Sequence, residues 1–365
     1  MSINYMIVRK EWMDLTKDDA VKDQHRIIGI NENINSKIVF NPHPDARWFK
    51  KGGNLGMFIH YGLSAVNGSI DLSWGMIANK PYENRIGCEY RISPENYWAL
   101  EKDFNPCNFE KSMDRLMSAL KETGFTYAVL TTKHHDGFAL WESKYGNLNI
   151  GKYNKGVDLV KIFADTCRRY GLKVGFYYSP PDWNYLKDYM SFSDAGLLYD
   201  TKHNKVDSIP VADNSVMDDY RKYLRGQITE LLTNYGHVDI LWFDGSCEKP
   251  FEVITPDEIR KLQPGIIFNN RHFGYGDFMT PEVRFPVSKP EKPWEYCGIW
   301  TDGVWWSYMH QCKKFKSAEW LYDIYQKCQE WNGNCLINVG PMSDGTMPEM
   351  TYTRLKELNG LLRNC

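Results

Sequence analysis

Helical and extended patterns of hydrophobic residues alternate along the middle of the chain. Apolar residues recur every three or four positions over residues 113–120, Gly124 follows, and residues 127–130 are almost continuously apolar. The same order, a helical pattern ending near a glycine and followed by a short apolar run, recurs before residues 174–177, 238–243 and 266–268. Glycine relieves the left-handed end of a helix, and unbroken apolar runs are typical of parallel strands buried on both faces.

This alternation predicts an α/β fold. Residues 57–59 and 335–339 are two further apolar runs, which bring the predicted strands to at least six. Strands that alternate with helices imply right-handed crossovers, and 365 residues with this repetition fit a (β/α)8-like TIM barrel. A doubly wound dinucleotide-binding sheet is the alternative, but no G-x-G-x-x-G follows a strand. Residues 1–45, polar and irregular, are predicted to form an N-terminal extension packed on a barrel domain of residues 46–365.

Composition excludes several classes of protein. Lys and Arg total 44 against 46 Asp and Glu, so no basic surplus exists to neutralise nucleic-acid phosphates. No run approaches the roughly 18 apolar residues of a membrane span. Thirteen Trp and 23 Tyr are an unusually large aromatic complement, which can pack a core or form flat walls against the apolar faces of a small ligand.

The cysteines and the N-terminus bear on location. Nine cysteines are scattered from Cys88 to Cys365 without a C-x-x-C pair, which argues for reduced thiols and against a disulfide scaffold or a zinc ribbon. Residues 1–10 lack the long apolar region of a secretory signal. A cytoplasmic location is therefore predicted, and whether the protein forms a homo-oligomer is left open.

Reactive side chains follow five successive predicted strands. In a barrel, the carboxyl ends of the strands meet at one rim, where active sites lie, so this clustering predicts a catalytic rim. The five groups are His60-Tyr61-Gly62, Lys133-His134-His135-Asp136, Tyr177-Tyr178-Ser179, Trp242-Phe243-Asp244 and Asn269-Asn270-Arg271.

Several of these residues also have structural interpretations. An acid at the end of an apolar strand is costly without a partner, so Asp244 is expected to be hydrogen-bonded, paired with Arg or His, or catalytic. Arg271 could be its partner in a purely structural ion pair. His134 and His135 are adjacent and point to opposite sides of a strand, so at most one faces the barrel axis unless the strand has already ended. A lone histidine such as His60 is more often a hydrogen-bonded structural group.

The motifs resemble the retaining α-L-fucosidases of glycoside hydrolase family 29, from about Trp48 to about Leu362. Most specific are Thr-Thr-Lys-His-His-Asp-Gly-Phe at 131–138 and Trp-Phe-Asp-Gly at 242–245, in this order. Supporting matches lie at 56–62, 175–179, 268–271, 277–282, 293–295 and 336–341. The resemblance implies an exo-glycosidase that removes terminal α-L-fucose from oligosaccharides or glycoconjugates with retention, through a covalent glycosyl-enzyme, without a metal or other cofactor.

The resemblance also implies roles for individual residues. Asp244 matches the nucleophile. The general acid/base is Glu282 or Glu295; Glu282 is preferred slightly because a loop at the rim can bring its carboxyl over the glycosidic oxygen, and Glu295 could instead be a structural acid. Retention needs two carboxyl groups about 5–5.5 Å apart. Sugar-binding positions are matched by His60, Trp74, His134, His135, Tyr177, Trp242 and Arg271.

Three features depart from the family pattern. Tyr61 stands where the family usually has Trp. Ser73 precedes Trp74 where many members have Glu, and the loss of that carboxylate could change the specificity for sugar hydroxyls. The chain also ends at Cys365, just after a helix predicted over residues 352–363, where members commonly continue into a β-sandwich. The expectation is therefore a catalytic domain alone.

Other functions stay open. The protein could be a related exo-glycosidase with altered sugar specificity or a carbohydrate-binding protein with impaired catalysis. A metal-dependent hydrolase could use His60, His134, His135 and Asp244, but adjacent histidines lack the His-x-His spacing that places both imidazoles on one side of a strand.

Overall fold

The computed structural model describes residues 24–26, 28–30, 37–78, 91–193, 196–303, 305–312 and 314–363. Their strands β1–β9 are, in chain order, Lys37–Ile38, Leu55–Ile59, Tyr127–Lys133, Lys173–Tyr178, Ile240–Phe243, Ile267–Phe268, Tyr275–Gly276, Glu295–Ile299 and Asn334–Val339. Helices α1–α10 are Arg47–Lys50, Ser64–Asn67, Pro94–Trp98, Phe109–Thr123, Leu159–Arg169, Asn214–Thr233, Pro250–Val253, Pro256–Leu262, Ala318–Glu330 and Glu349–Arg363. Shorter 3-10 helices are Pro44–Ala46, Leu72–Met76, Ala99–Asp103 and Ile150–Lys152.

Seven of the strands form one parallel sheet in the order β6-β5-β4-β3-β2-β9-β8. All six strands that the hydrophobic pattern predicts belong to it, so the α/β prediction is confirmed. The sheet is curled, and β2, first of these strands in the chain, pairs on one side with β3 and on the other with β9, the last, as the first and last strands of a barrel do. Since all seven strands are parallel, their carboxyl ends lie at one edge and bring the predicted rim residues together.

The regular sheet has seven strands where a complete barrel would have eight. Its edge strands are β6 and β8, and residues 277–283 lie between them. The amide of Asp277 donates to the carbonyl of Phe268 in β6 at 2.8 Å, and the amide of Cys297 in β8 donates to the carbonyl of Pro281 at 3.0 Å. Pro281 has no amide hydrogen, so this segment cannot form an unbroken ladder.

The helices cover the outside of the sheet as their apolar spacing predicts. Helix α4 buries Met113, Leu116, Met117 and Leu120 and ends at Gly124, whose φ of 95° is the left-handed cap conformation. The last helix begins three residues earlier than predicted, directly after Pro348. None of the helices in the described ranges is long and apolar enough to cross a bilayer.

Inside the curl of the sheet, one glycine makes room for a buried ring. A Cβ atom at Gly56 on β2 would lie 2.2 Å from the ring of Tyr127 on β3. Only glycine therefore lets Tyr127 fill this interior, where its hydroxyl reaches Glu295 at the start of β8.

Part of the predicted N-terminal extension lies against this framework. Strand β1 pairs with β7, and the carbonyl of Ile28 accepts a hydrogen bond from the amide of Ser246 at 3.0 Å. Residues 1–23 and 31–36 lie outside the described residues, as do Cys88, Cys365 and most of the loop 70–91. The division into an extension and a single barrel domain stays a prediction.

Candidate active site

A pocket of about 340 Å³, including the space at its mouth, opens at the carboxyl edge of the sheet. Eight of the ten predicted site residues line it: His60, Trp74, His134, Tyr177, Trp242, Asp244, Arg271 and Glu282. His135 and Glu295 are not part of the lining, although both contact residues that are. Six of these eight residues stand at the ends of predicted strands, whereas Trp74 and Glu282 are expected from the family resemblance alone.

Asp244 follows β5 directly, and both of its carboxylate oxygens are held. The hydroxyl of Tyr177 donates to Oδ2 at 2.8 Å, and Nη1 of Arg271 donates to Oδ1 at 2.7 Å. The rings of Tyr177 and Trp242 stack with centroids 5.7 Å apart, and the guanidinium of Arg271 lies 4.6 Å from the centre of the Trp242 ring. The predicted pairing of Asp244 with an arginine is present, and it directs the carboxylate into the pocket.

The same guanidinium holds a second carboxylate. Nη2 of Arg271 donates to Oε2 of Glu282, and so does Nε2 of His25 at 3.2 Å. Two hydrogen bonds and the width of one guanidinium leave Asp244 and Glu282 about 7 Å apart at most. Burial alone would raise the pKa of Glu282, but the charge of Arg271 and the His25 contact hold it well below its usual range. Glu282 is therefore ionised at neutral pH in this arrangement.

Glu295, at the start of β8, contacts the indole of Trp242 but does not line the pocket. The hydroxyl of Tyr127 donates to its Oε2 at 2.6 Å and Nε1 of Trp242 donates to its Oε1 at 2.9 Å. Complete burial raises the pKa of Glu295 to about 7. A carboxyl group with a pKa near neutral pH is suited to acid catalysis, but a general acid must first be able to reach the substrate. Geometry therefore favours Glu282 as the acid/base and makes Glu295 a support for Trp242.

His60 and His134 present neutral imidazoles to the pocket. Nδ1 of His60 lies 2.7 Å from Oδ1 of Asn338, whose amide nitrogen donates to the carbonyl of Trp306. This orientation of Asn338 makes Nδ1 of His60 the donor and leaves Nε2 as an acceptor. Burial lowers the pKa of His60 to about 4 and that of His134 well below its usual range. Nδ1 of His134 contacts Oγ of Ser73 at 2.7 Å.

His135 lies beside His134, with ring centroids 4.0 Å apart. Strand β3 ends at Lys133, so the rule that neighbours on a strand face opposite ways does not apply to the two histidines. The hydroxyl of Ser179 donates to the carbonyl of Pro181, which makes Nδ1 of His135 the donor to Ser179 at 2.6 Å. Nε2 of neutral His135 is then an acceptor 3.7 Å from Asp244, without a hydrogen-bond partner among the described residues.

His134, His135 and Asp244 also place one ligand atom each within 4.8 Å of one another, as a metal site would. The surroundings suit a cation poorly. Both oxygens of Asp244 are already occupied, and one is 2.7 Å from the permanent positive charge of Arg271. The prediction of no metal stays a prediction.

Sequence reasoning missed six residues of the lining. Phe58 is an inward residue of β2, Trp306 lies beside His60, and Cys297 is buried in β8. The other three come from the N-terminal segment: Gln24, His25 and Ile28. Side chains on a strand alternate between its two faces, so Phe58 could have been identified as sharing a face with His60. No local sequence pattern predicts a contact such as that between His25 and Glu282, which are 257 residues apart.

Of the two departures from the family pattern in the first strand and its following loop, one is at the site and one is not. Ser73 is buried and contacts His134, so this departure lies directly behind a residue of the pocket wall. Tyr61 points away from the pocket: its ring stacks on Phe109 with centroids 5.5 Å apart, and its hydroxyl donates to the carbonyl of Ser343.

A curled parallel sheet whose carboxyl edge carries two carboxylates across an aromatic-walled pocket is the architecture of a glycosidase-type protein. The Alpha-L-fucosidase family profile matches residues 32–364. The chain belongs to the α-L-fucosidase family, glycoside hydrolase family 29, and the resemblance inferred from its motifs is confirmed.

Individual relatives agree with this assignment. Alpha-L-fucosidase 1 of Arabidopsis thaliana is 25% identical over 379 residues, which cover 91% of this chain and 64% of the relative. The structure of alpha-L-fucosidase isoenzyme 1 from Paenibacillus thiaminolyticus superposes with a TM-score of 0.71 at 32% identity, over 88% of this chain and 75% of that one. An alpha-L-fucosidase AlfC mutant in complex with 4-nitrophenyl-α-L-fucopyranoside gives a TM-score of 0.69 at 26% identity, over 88% and 99%.

Proposed function

We propose that the protein is a retaining exo-α-L-fucosidase that hydrolyses terminal fucose from oligosaccharides or glycoconjugates. The observation that carries the proposal is the pair of carboxylates, Asp244 and Glu282, bridged by Arg271 across one pocket. The upper bound of about 7 Å on their separation admits the roughly 5–5.5 Å of retaining enzymes but also reaches the roughly 6.5–9.5 Å of inverting ones, so the anomer of the product must distinguish the two mechanisms. The 4-nitrophenyl-α-L-fucopyranoside bound by AlfC supports an aryl fucoside as the first substrate to test.

In the first step, Asp244 attacks the anomeric carbon and the bond from that carbon to the leaving-group oxygen breaks. Glu282 gives its proton to that oxygen, which leaves Glu282 ionised and fucose esterified to Asp244. In the second step, Glu282 takes a proton from water, the water oxygen attacks the anomeric carbon, and the ester bond to Asp244 breaks. Glu282 ends protonated, ready for another cycle.

The rest of the pocket suits a neutral deoxy sugar. Imidazoles that are kept neutral can each offer one donor or one acceptor to a sugar hydroxyl, and Nε2 of His60, which lines the pocket, is an acceptor in this arrangement. Phe58, Trp306 and Ile28 contribute apolar surface, which suits the C6 methyl group of fucose.

The direct test is hydrolysis of 4-nitrophenyl-α-L-fucopyranoside, with the anomer of the first-formed fucose read by NMR. Asp244→Asn should reduce turnover by several orders of magnitude, because the amide is a poor nucleophile, while circular dichroism confirms the fold. Release of the α-anomer indicates retention. No turnover by the unaltered protein on any fucoside would leave the carbohydrate-binding alternative, and release of the β-anomer would contradict double displacement.

We also infer that residues 277–283 take the place of an eighth strand and close the sheet into a distorted barrel. The hydrogen bonds of Asp277 toward β6 and of Pro281 toward β8 support this closure.

A further inference from the structure

A short N-terminal segment forms one wall of the pocket. We call residues 24–26 and 28–30 the strap. Gln24, His25 and Ile28 line the pocket, and only 7% of His25 and 2% of Ile28 are exposed. The strap folds on itself through the amide of Ile30, which donates to the carbonyl of His25 at 2.8 Å, and it is tied to the loop after β5 through Ser246.

His25 connects the strap to the candidate acid/base, Glu282. Its Nε2 lies 3.2 Å from Oε2 of Glu282, and the side chains are only 9% and 8% exposed. An ionised carboxylate can only accept, so Nε2 of His25 must be the donor. Oε2 of Glu282 thus receives hydrogen bonds from His25 and Arg271 together.

This double contact conflicts with the first step of the proposed reaction. A general acid must carry a proton and come within about 2.6–3.2 Å of the leaving-group oxygen. In this arrangement, one oxygen of Glu282 accepts from two donors that favour the ionised form. In the described part of the chain, the other charged and titratable groups around Glu282 leave this unchanged, since the carboxylate of Asp244 shares Arg271 with it. Those groups are Asp244, His60, His134, His135, Tyr177 and Cys297.

We propose that His25 is a positioning residue, which latches Glu282 in its ionised, inward orientation until the leaving group of a fucoside displaces the strap. The inference deepens the proposed function and rests on it. Entry of the leaving group breaks the contact between His25 and Glu282, so that the carboxyl can take up a proton and turn to the glycosidic oxygen. The strap thereby couples occupation of the leaving-group side of the pocket to acid catalysis.

The pH profile of kcat/KM tests this role. Since protonated Glu282 is the active form in the first step, its pKa in the free enzyme sets the basic limb of the profile. Removing a donor that favours the ionised form raises that pKa, so His25→Ala should move the basic limb to higher pH. The shift should be about one pH unit, which corresponds to one hydrogen bond to a charged group.

Gln24→Ala is the matched control, because Gln24 lies on the same strap and lines the same pocket. It can change KM, but it should leave the basic limb in place. The shift in His25→Ala should be clear with a fucosyl disaccharide, whose leaving group depends on protonation. An unmoved limb in His25→Ala, or the same shift in both variants, would overturn the latch.

A second readout does not depend on turnover. With 13C-labelled glutamate, the carboxyl resonance of Glu282 can be assigned by its loss in Glu282→Gln and titrated in the folded protein. It should titrate at higher pH in His25→Ala than in the unaltered protein. The same titration in both proteins would contradict the latch even if fucosides are hydrolysed, whereas the expected shift without fucoside turnover would contradict only the proposed function.

Discussion

The charge state of Glu295 should make the stability of the protein depend on pH. Burial raises the pKa of this carboxyl from 4.5 to about 7 in the folded protein. Between these values the folded protein holds a proton that the unfolded chain has lost, so stability falls as pH rises. The penalty is absent below pH 4.5 and complete above pH 7. At about 1.4 kcal/mol for each pH unit, it reaches about 3 kcal/mol.

Glu295→Gln removes this penalty without removing the contacts. The amide oxygen can accept from Nε1 of Trp242, and the amide nitrogen can donate to the hydroxyl oxygen of Tyr127, so glutamine resembles the protonated acid. The variant should exceed the unaltered protein in free energy of unfolding by only about 0.7 kcal/mol at pH 5, half a pH unit above 4.5. It should exceed it by as much as about 3 kcal/mol at pH 8, because a neutral group has no charge to bury.

Urea unfolding at pH 5, 6, 7 and 8 measures the difference between the two proteins, and the comparison cancels the titration of every other group. A difference that stays constant across this range would refute the reasoning. Activity supplies a second check. If Glu295 only supports Trp242, then Glu295→Gln should reduce turnover of aryl fucosides and of fucosyl disaccharides by the same factor. A loss confined to disaccharides would instead make Glu295 the general acid.

Three further outcomes follow from the site. Glu282→Gln should slow hydrolysis of fucosyl disaccharides by about 10²–10⁴-fold and spare aryl fucosides with good leaving groups; equal losses on both would remove Glu282 as the acid. Ser73→Ala takes a hydrogen-bond partner from His134, and KM for an aryl fucoside should rise roughly five- to tenfold with a smaller change in kcat; an unchanged KM would contradict a role in sugar binding. Exhaustive chelation should leave turnover unchanged, because Arg271 already neutralises Asp244; a loss that a divalent cation restores would favour the metal-dependent alternative.

The sequence predicts a strand well where a helical pattern precedes it. Strands β3 and β4 follow helical patterns that end in glycine, so two signals mark each of them. Strand β8 is not among the predicted strands. Its five residues, Glu-Tyr-Cys-Gly-Ile, follow a loop that contains Pro290 and Pro293 and lacks a helical pattern. The period of hydrophobic residues cannot identify a strand without such context.

The site is predictable to the extent that it depends on strand ends. Asp244 directly follows β5, so the parallel topology alone places it at the rim. Glu282 follows no predicted strand, and its position depends on the pairing of 277–283 with both edges of the sheet. His25 depends on a contact across 257 residues, which local patterning does not encode. The residues hardest to foresee are therefore those that adjust the acid rather than those that bind the sugar.

The two glutamates show why geometry must come before pKa in assigning the acid. Glu295, with a pKa near neutrality, does not line the pocket, whereas Glu282 lines it but is held ionised. In the proposed reaction, the ionised state of Glu282 serves the second step. When Asp244 becomes an ester it loses its charge, so Arg271 has one anionic partner instead of two. Its charge then acts wholly on Glu282 and favours the carboxylate, which is the form that must take a proton from water in the second step. The same arginine that opposes the acid step therefore supports the base step, and relief of its hold on Glu282 is needed only while the leaving group is present.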